Sequence, residues 1–189
     1  MRQSKDLIGK PVITLDEGRF LGNVKDVFLD KDLEWLAGIH LGREGLIRRK
    51  NLLIPRGEVA VFGLDAILVK SAESVTDDKE TSAARQWLLL DKLQGRMVDT
   101  PGGTKVGVVG DVIVDEEARI IGVSLSKVYV EGPIAEQRAV SRTAVVDLGD
   151  EDGVMTIDLA KAEQADNEPV TGADDGSAAV DAVATKATK

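Results

Sequence analysis

His40 is the only histidine in the 189 residues, and there is no cysteine. Imidazole and thiolate together therefore cannot complete a tetrahedral transition-metal site, and His40 reads as an ordinary strand residue. Asp30, Asp32, Asp115, Glu116 and Glu117 offer the oxygen ligands a hard cation wants. Calcium needs six or more of them in a defined loop, and these acids lack that spacing, so turn capping is the expected role. Pro101 to Gly110 is glycine-rich, but Lys105 is followed by Val106 in a strand pattern rather than by Ser or Thr opening a helix, so it is not a phosphate loop. No serine lies in a nucleophile motif, and no carboxylates form a recognisable acid/base pair. The expectation is a non-enzymatic chain with no catalytic, cofactor or metal residues. Arg48-Arg49-Lys50 is the one dense basic cluster. On a strand Arg48 and Lys50 project to the same side, where they can meet an acidic partner, RNA or lipid headgroups, or else guard an exposed strand edge.

The elements carrying these residues occur twice. Leu21 to Leu41 and Val106 to Leu125 align at Gly22 and Gly107, Val24 and Val109, Asp26 and Asp111, Val27 and Val112, Asp30 and Asp115, Gly38 and Gly122, and Leu41 and Leu125. A tandem duplication follows. Upstream, Leu7, Gly9, Val12 and Thr14 answer to Leu93, Gly95, Val98 and Thr100; downstream, Ile54, Arg56, Val59 and Gly63 answer to Val140, Arg142, Val145 and Gly149. Asp6 to Leu15 reads as an opening strand reversed at Asp16 to Arg19. Val24 and Val27 are three apart, which asks for a bulge near Lys25-Asp26 or a strand buried on both faces. Asp30 and Asp115 each open a hairpin loop, where an Asp carboxylate can accept from amides two residues on. Each copy offers about six short strands and no long helix, as small barrels or sandwiches do.

Hydrophobic residues make up 43% and charged residues 30%, as in a globular domain, and no run approaches the roughly 18 apolar residues of a membrane span. The N-terminus lacks a secretory signal pattern, so a cytoplasmic location is expected. Twenty-four basic against 33 acidic side chains give a net charge of −9, which disfavours bulk attraction to nucleic acid or anionic lipid.

Leu7-Ile-Gly-Lys-Pro-Val12, Gly22-Asn-Val-Lys-Asp-Val27 with Asp30, and Ile54 to Val69 resemble the PRC-barrel, the small β-barrel of the photosynthetic reaction centre H subunit, also found in the ribosome maturation factor and in archaeal division proteins. The resemblance runs over about residues 5 to 159 in two copies. It implies an all-β chain of two tandem small PRC-type barrels, at 1–75 and 91–159; the polar stretch at 76–90 reads as a linker, and the acidic, aromatic-free segment 160–189 has too little apolar surface to order and is expected to be a disordered tail. The resemblance further implies an adaptor that docks a protein partner, with Arg48 and Lys50 as candidate contacts. The alternatives are a ribosome-associated maturation or RNA-binding factor, with nucleic acid met only through a ribosomal particle, and a peripheral accessory protein of a photosynthetic membrane. No cofactor is expected under any of them.

Overall fold

The computed structural model describes residues 2–44, 50–149 and 153–164. The chain opens with β1 (Arg2–Gln3), a 3-10 turn (Ser4–Leu7), β2 (Pro11–Thr14), β3 (Phe20–Asn23), β4 (Asp26–Leu29), β5 (Leu36–Glu44), β6 (Lys50–Pro55), β7 (Val59–Phe62) and β8 (Ile67–Val69). It continues through β9 (Thr76–Asp77), β10 (Leu88–Leu89) and a single turn of helix, α1 (Leu90–Leu93). The second copy supplies β11 (Met97–Asp99), β12 (Lys105–Val114), β13 (Ile120–Val128), α2 (Pro133–Gln137), β14 (Ala139–Ser141), β15 (Val145–Asp147), β16 (Met155–Ile157) and α3 (Leu159–Gln164). The protein is mostly β, in three sheets ordered β3-β2-β8-β7, β10-β4-β5-β6-β9 and β14-β13-β12-β11-β16-β15, with β1 added to β12.

The duplication seen in the residues is repeated in the hydrogen bonding. β2 pairs parallel to β8, and β11 pairs parallel to β16. The register slips between Val12 and Ile13 in one copy and between Val98 and Asp99 in the other. A matching slip falls between Val59 and Val61 and between Val145 and Asp147. β3 ends at Asn23 in one sheet and β4 begins at Asp26 in another, so the three-residue spacing of Val24 and Val27 marks a change of sheet through Val24-Lys25 rather than the expected bulge or strand buried on both faces. In the second copy the same stretch is one long bulged strand, β12. Gly38 and Gly122 recur for a steric reason. A Cβ on Gly38 would lie 2.8 Å from the Ile54 carbonyl oxygen, and one on Gly122 would lie 2.7 Å from that of Val140.

Neither copy is self-contained. β1, the start of the first copy, pairs with β12 of the second, Arg2 opposite Val114 and Gln3 opposite Ile113. β10, just ahead of the second copy, pairs with β4 of the first, Leu88 opposite Leu29 and Leu89 opposite Phe28. The two hairpin tips also cross. The Leu36 amide donates to the Ala118 carbonyl at 3.0 Å and the Ile120 amide to the Glu34 carbonyl at 2.8 Å, flanking a bridge between Trp35 and Arg119. These contacts come in equivalent pairs, as across a pseudo-twofold axis. One apolar interior runs through both copies, from Leu7, Val27 and Ile39 to Val112, Val123 and Ile157.

Three expected boundaries change. The opening strand begins at Pro11, because Ser4–Leu7 coils into a 3-10 turn held by Asp111: Ser4 Oγ donates to its Oδ1 at 2.5 Å and the Lys5 amide to its Oδ2 at 3.0 Å. The segment 76–90 is more than a linker, since β9 pairs with β6 and β10 with β4. Residues 160–164, the start of the expected tail, continue α3, whose Ala162 is buried in the common interior. Residues 165–189 lie outside the described part.

Candidate interaction surfaces

Of the two expected contacts, Arg48 lies outside the described residues. Lys50 opens β6, and its ammonium sits 2.5 Å from Asp77 Oδ2 on β9. Asp77 Oδ1 also accepts from the amides of Lys79 and Glu80, at 2.9 and 3.0 Å. The bond from Lys50, followed by these amides, brings the Asp77 carboxyl down to about 2 and raises the Lys50 ammonium. This pair joins β6 to the turn after β9, so at this position the cation is neutralised within the chain.

His40 lies on β5 opposite Asp26, its ring edge-on to Phe28 at 5.5 Å between centroids. Burial, reinforced by Arg43, holds its imidazole below the usual value, so it is neutral at pH 7. The hairpin acids close turns. Asp115 Oδ1 accepts from Glu117 and Arg119 amides at 2.9 and 2.8 Å. Asp30 Oδ1 reaches further than expected, to the amides of Glu34 and Trp35 at 2.7 and 3.2 Å. Leu33 and Ala118, at equivalent points of the two tips, adopt left-handed backbone with φ of 53° and 66°, and both are wholly buried.

Around the crossed tips the surface is built from arginine and tryptophan. The Arg56 guanidinium stacks 4.1 Å from the Trp35 ring centre, and its Nη2 donates to the Glu117 carbonyl at 2.8 Å. Its counterpart Arg142 donates Nε to the Leu33 carbonyl at 2.8 Å and Nη2 to that of Asp32. Each arginine therefore clamps the other copy's tip. Beside each clamp is an open groove of about 770 Å³. The first is lined by Arg2, Arg56, Val61, Phe62, Leu64 and Glu116, along β7. The second is lined by Lys31, Arg85, Trp87, Arg142, Val146 and Leu148, along β15. Both strands are the last of their sheets. Open grooves of mixed apolar and charged lining beside sheet edges suit docking of a polypeptide. They hold no nucleophile–base pair, and among the described residues no three of His, Asp and Glu gather where they can hold a metal ion.

Residues 1–75 match the model of the PRC-barrel domain. The match covers β1 to β8, the whole of the first copy and its crossing strand. No curated protein matches the chain. The PRC-barrel is a protein-interaction or adaptor-type fold, and here it carries β7 on one side of the first groove, Arg56 and Lys50. No helix of the described residues is long and apolar enough to cross a membrane. Sequence reasoning had no means of finding the clamps: Arg56 and Arg142 align in the two copies, but the carbonyls they bind, at Glu117 and at Asp32 and Leu33, are not marked by any motif.

Proposed function

We propose that the protein is a non-enzymatic docking module in which a PRC-barrel domain and its diverged second copy, residues 91–159, present surfaces to a protein partner. The observation that carries this reading is the PRC-barrel match over residues 1–75, an interaction-type domain. The reading of residues 91–159 as a diverged second copy is supported by equivalent register slips, crossing strands and arginine clamps. Protein docking is favoured over RNA because the net charge is −9 and Lys50 is held by Asp77. The copies act as one rigid unit, since separating them would expose the interior they share.

The test uses the full chain, because removing either copy would strip strands from the other. Affinity purification from the native host, quantified against an unrelated bait of similar charge, should recover one protein at near-equal amounts with the chain. Absence of any enriched protein over several growth conditions removes the reading.

A further inference from the structure

What covers a face in one copy has a counterpart to be sought in the other. In the first copy, Phe28 on β4 and Leu53 on β6 belong to a small cluster apart from the common interior, and Ala84, Trp87 and Leu89 pack over it. β9 closes the edge of β6 beside them, Thr76 opposite Leu53 and Asp77 opposite Leu52. The same register positions in the second copy are Ile113 and Ala139. Ile113 stands opposite Gly122 as Phe28 does opposite Gly38, and Ala139 opposite Ser124 as Leu53 does opposite His40. Gln3 takes the place of Leu89, opposite Ile113. Among the described residues, however, no strand takes the place of β9, and β14 is the last of its sheet. Phe28 and Leu53 are buried, whereas Ile113 and Ala139 are only half-buried and line an open groove of about 490 Å³. The Leu125 amide donates to the Arg138 carbonyl at 2.7 Å, so the alternation of an antiparallel pair turns the amide and carbonyl of Ala139 to the open side. Such an edge is a template for another strand.

The chain itself contains a counterpart of the covering segment. Glu168-Pro-Val-Thr-Gly-Ala-Asp-Asp-Gly-Ser-Ala-Ala179 lies outside the described residues, and it can be laid without a gap on Glu73-Ser-Val-Thr-Asp-Asp-Lys-Glu-Thr-Ser-Ala-Ala84. Glu168, Val170, Thr171, Ser177, Ala178 and Ala179 then match Glu73, Val75, Thr76, Ser82, Ala83 and Ala84. The matched stretch includes both β9 and Ala84, the parts that close the first copy. α3 takes up the extra length after β16, where the first copy passes from β8 to β9 through a single 3-10 turn (Ala72–Ser74). α3 packs on α2 and on the 3-10 turn Arg142–Ala144, the elements just before and just after β14, so the described chain ends beside that strand. From Gln164, six extended residues span about 20 Å, which brings Val170 and Thr171 within reach of all of this three-residue strand.

We infer that residues 168–179 of this chain cover the second copy: Val170 and Thr171 add to the open edge of β14, Thr171 opposite Ala139, and Ala178 and Ala179 settle over Ile113. This goes beyond the docking function proposed above and does not depend on it. The cover is releasable. In the first copy Lys50 clasps Asp77 and Asn51 donates to Asp78 at 2.6 Å, but the matching positions are Gly172 and Ala173, which offer no carboxylate. Backbone bonds and small apolar contacts alone hold the added strand, and while it is in place β14 is closed to a strand from any partner.

The full chain, purified alone, is followed by hydrogen exchange resolved to single amides. The Ala139 amide should exchange at least about tenfold more slowly than in an unstructured peptide, and Thr171→Pro, which cannot donate to a strand ladder, should speed it by about the same factor while Val140, which faces β13, keeps its rate. Thr185→Pro, beyond the matched stretch, should leave both unaltered. Because the chain has no cysteine, Ala139→Cys with Thr171→Cys introduces a single pair of thiols. Paired Cα atoms about 5.5 Å apart can be bridged, so mild oxidation at low protein concentration should link them within one chain. Linkage should be more than about twentyfold faster than for Ala139→Cys with Thr185→Cys, beyond what the shorter tether alone gives. An Ala139 amide that exchanges at the free rate, or one indifferent to Thr171→Pro, overturns the proposal. So does a disulfide formed only between chains, which assigns the edge to a second copy, or protection gained only when a recovered partner is added, which assigns it to a partner's strand. The purified chain decides the matter, so this inference stands or falls apart from the docking function.

Discussion

Lys50 and Asp77 show how a charge that looks available for a partner can be committed within the fold. The carboxyl of Asp77 is brought from 3.8 to about 2 by Lys50 and two backbone amides. A depressed carboxyl contributes stability that is fully present above its unfolded value and is lost as pH falls through the folded one. The stability difference between the wild type and Asp77→Asn should therefore be constant above about pH 4 and shrink towards zero near pH 2. Urea titrations at pH 7, 4, 3 and 2 measure it, and a difference that grows on acidification would show that the pair is not what holds β9. Asp26 has the opposite sign. Burial raises its carboxyl, opposed by the amides of Val27 and Asp91. Its ionised form is disfavoured by folding, so the stability of the wild type relative to Asp26→Asn should fall as pH rises through the folded value, read from the same titrations between pH 3 and 7. At Gly38 the constraint is steric. Gly38→Ala forces a methyl against the Ile54 carbonyl at 2.8 Å, with Trp87 next at 3.2 Å, and should cost about 1–3 kcal/mol by overpacking. Thermal melts check this, with Gly57→Ala, which meets nothing within 4 Å, as the reference.

Among the elements, the short crossing segments matter more than their length suggests. β1 and the 3-10 turn after it are fastened to the second copy by Asp111, which accepts from Ser4 Oγ, the Lys5 amide and, at 2.8 Å, the Val112 amide. Asp26 holds the equivalent place, accepting from the Val27 amide at 2.8 Å and more loosely from Asp91 at 3.4 Å. Asp111→Ala leaves buried donors without an acceptor and should cost about 2–3 kcal/mol, since bonds to a charged acceptor are the stronger class. Hydrogen exchange should then accelerate at Ser4 to Leu7 and along the facing part of β12; unchanged protection would separate the aspartate from the crossing. The duplicated glycines, aspartates and strand pattern were all legible in the sequence, because each is a local requirement of a turn or a half-buried strand. The crossing was not, because β1 and β10 are two residues each and carry no periodicity that names a partner. The open edge of β14 escaped for a related reason. Its counterpart β6 is closed by β9, and the two edges can be compared only once the strand register is known. The basic cluster, in contrast, was conspicuous in the sequence, yet the pairing of Lys50 with Asp77 depends on β9, which lies in the stretch that reads as polar linker.

At the scale of the whole molecule, the two matching halves share one interior and each adds to the other's sheets. Each hairpin tip is clamped by the other copy's arginine, each copy's sheet borrows a strand, and the apolar interior has no boundary near residue 90. A 75-residue copy standing alone would bury only about 60–65% of the surface its unfolded chain exposes, so sharing an interior is the more stable arrangement. Unfolding should accordingly be a single transition. Trp35 fluorescence, isolated by replacing Trp87 with Phe, reports the crossed tips, and exchange of amides in β12 and β13 reports the second copy. The two should give the same urea midpoint and, for Arg56→Ala, shift together by about 1–3 kcal/mol, since the lost guanidinium stacks on Trp35 of the first copy and donates to the Glu117 carbonyl of the second. Two separated midpoints, or an Arg56→Ala shift confined to the first copy, would mean that the copies fold independently and that the surfaces they present are not held in fixed relation.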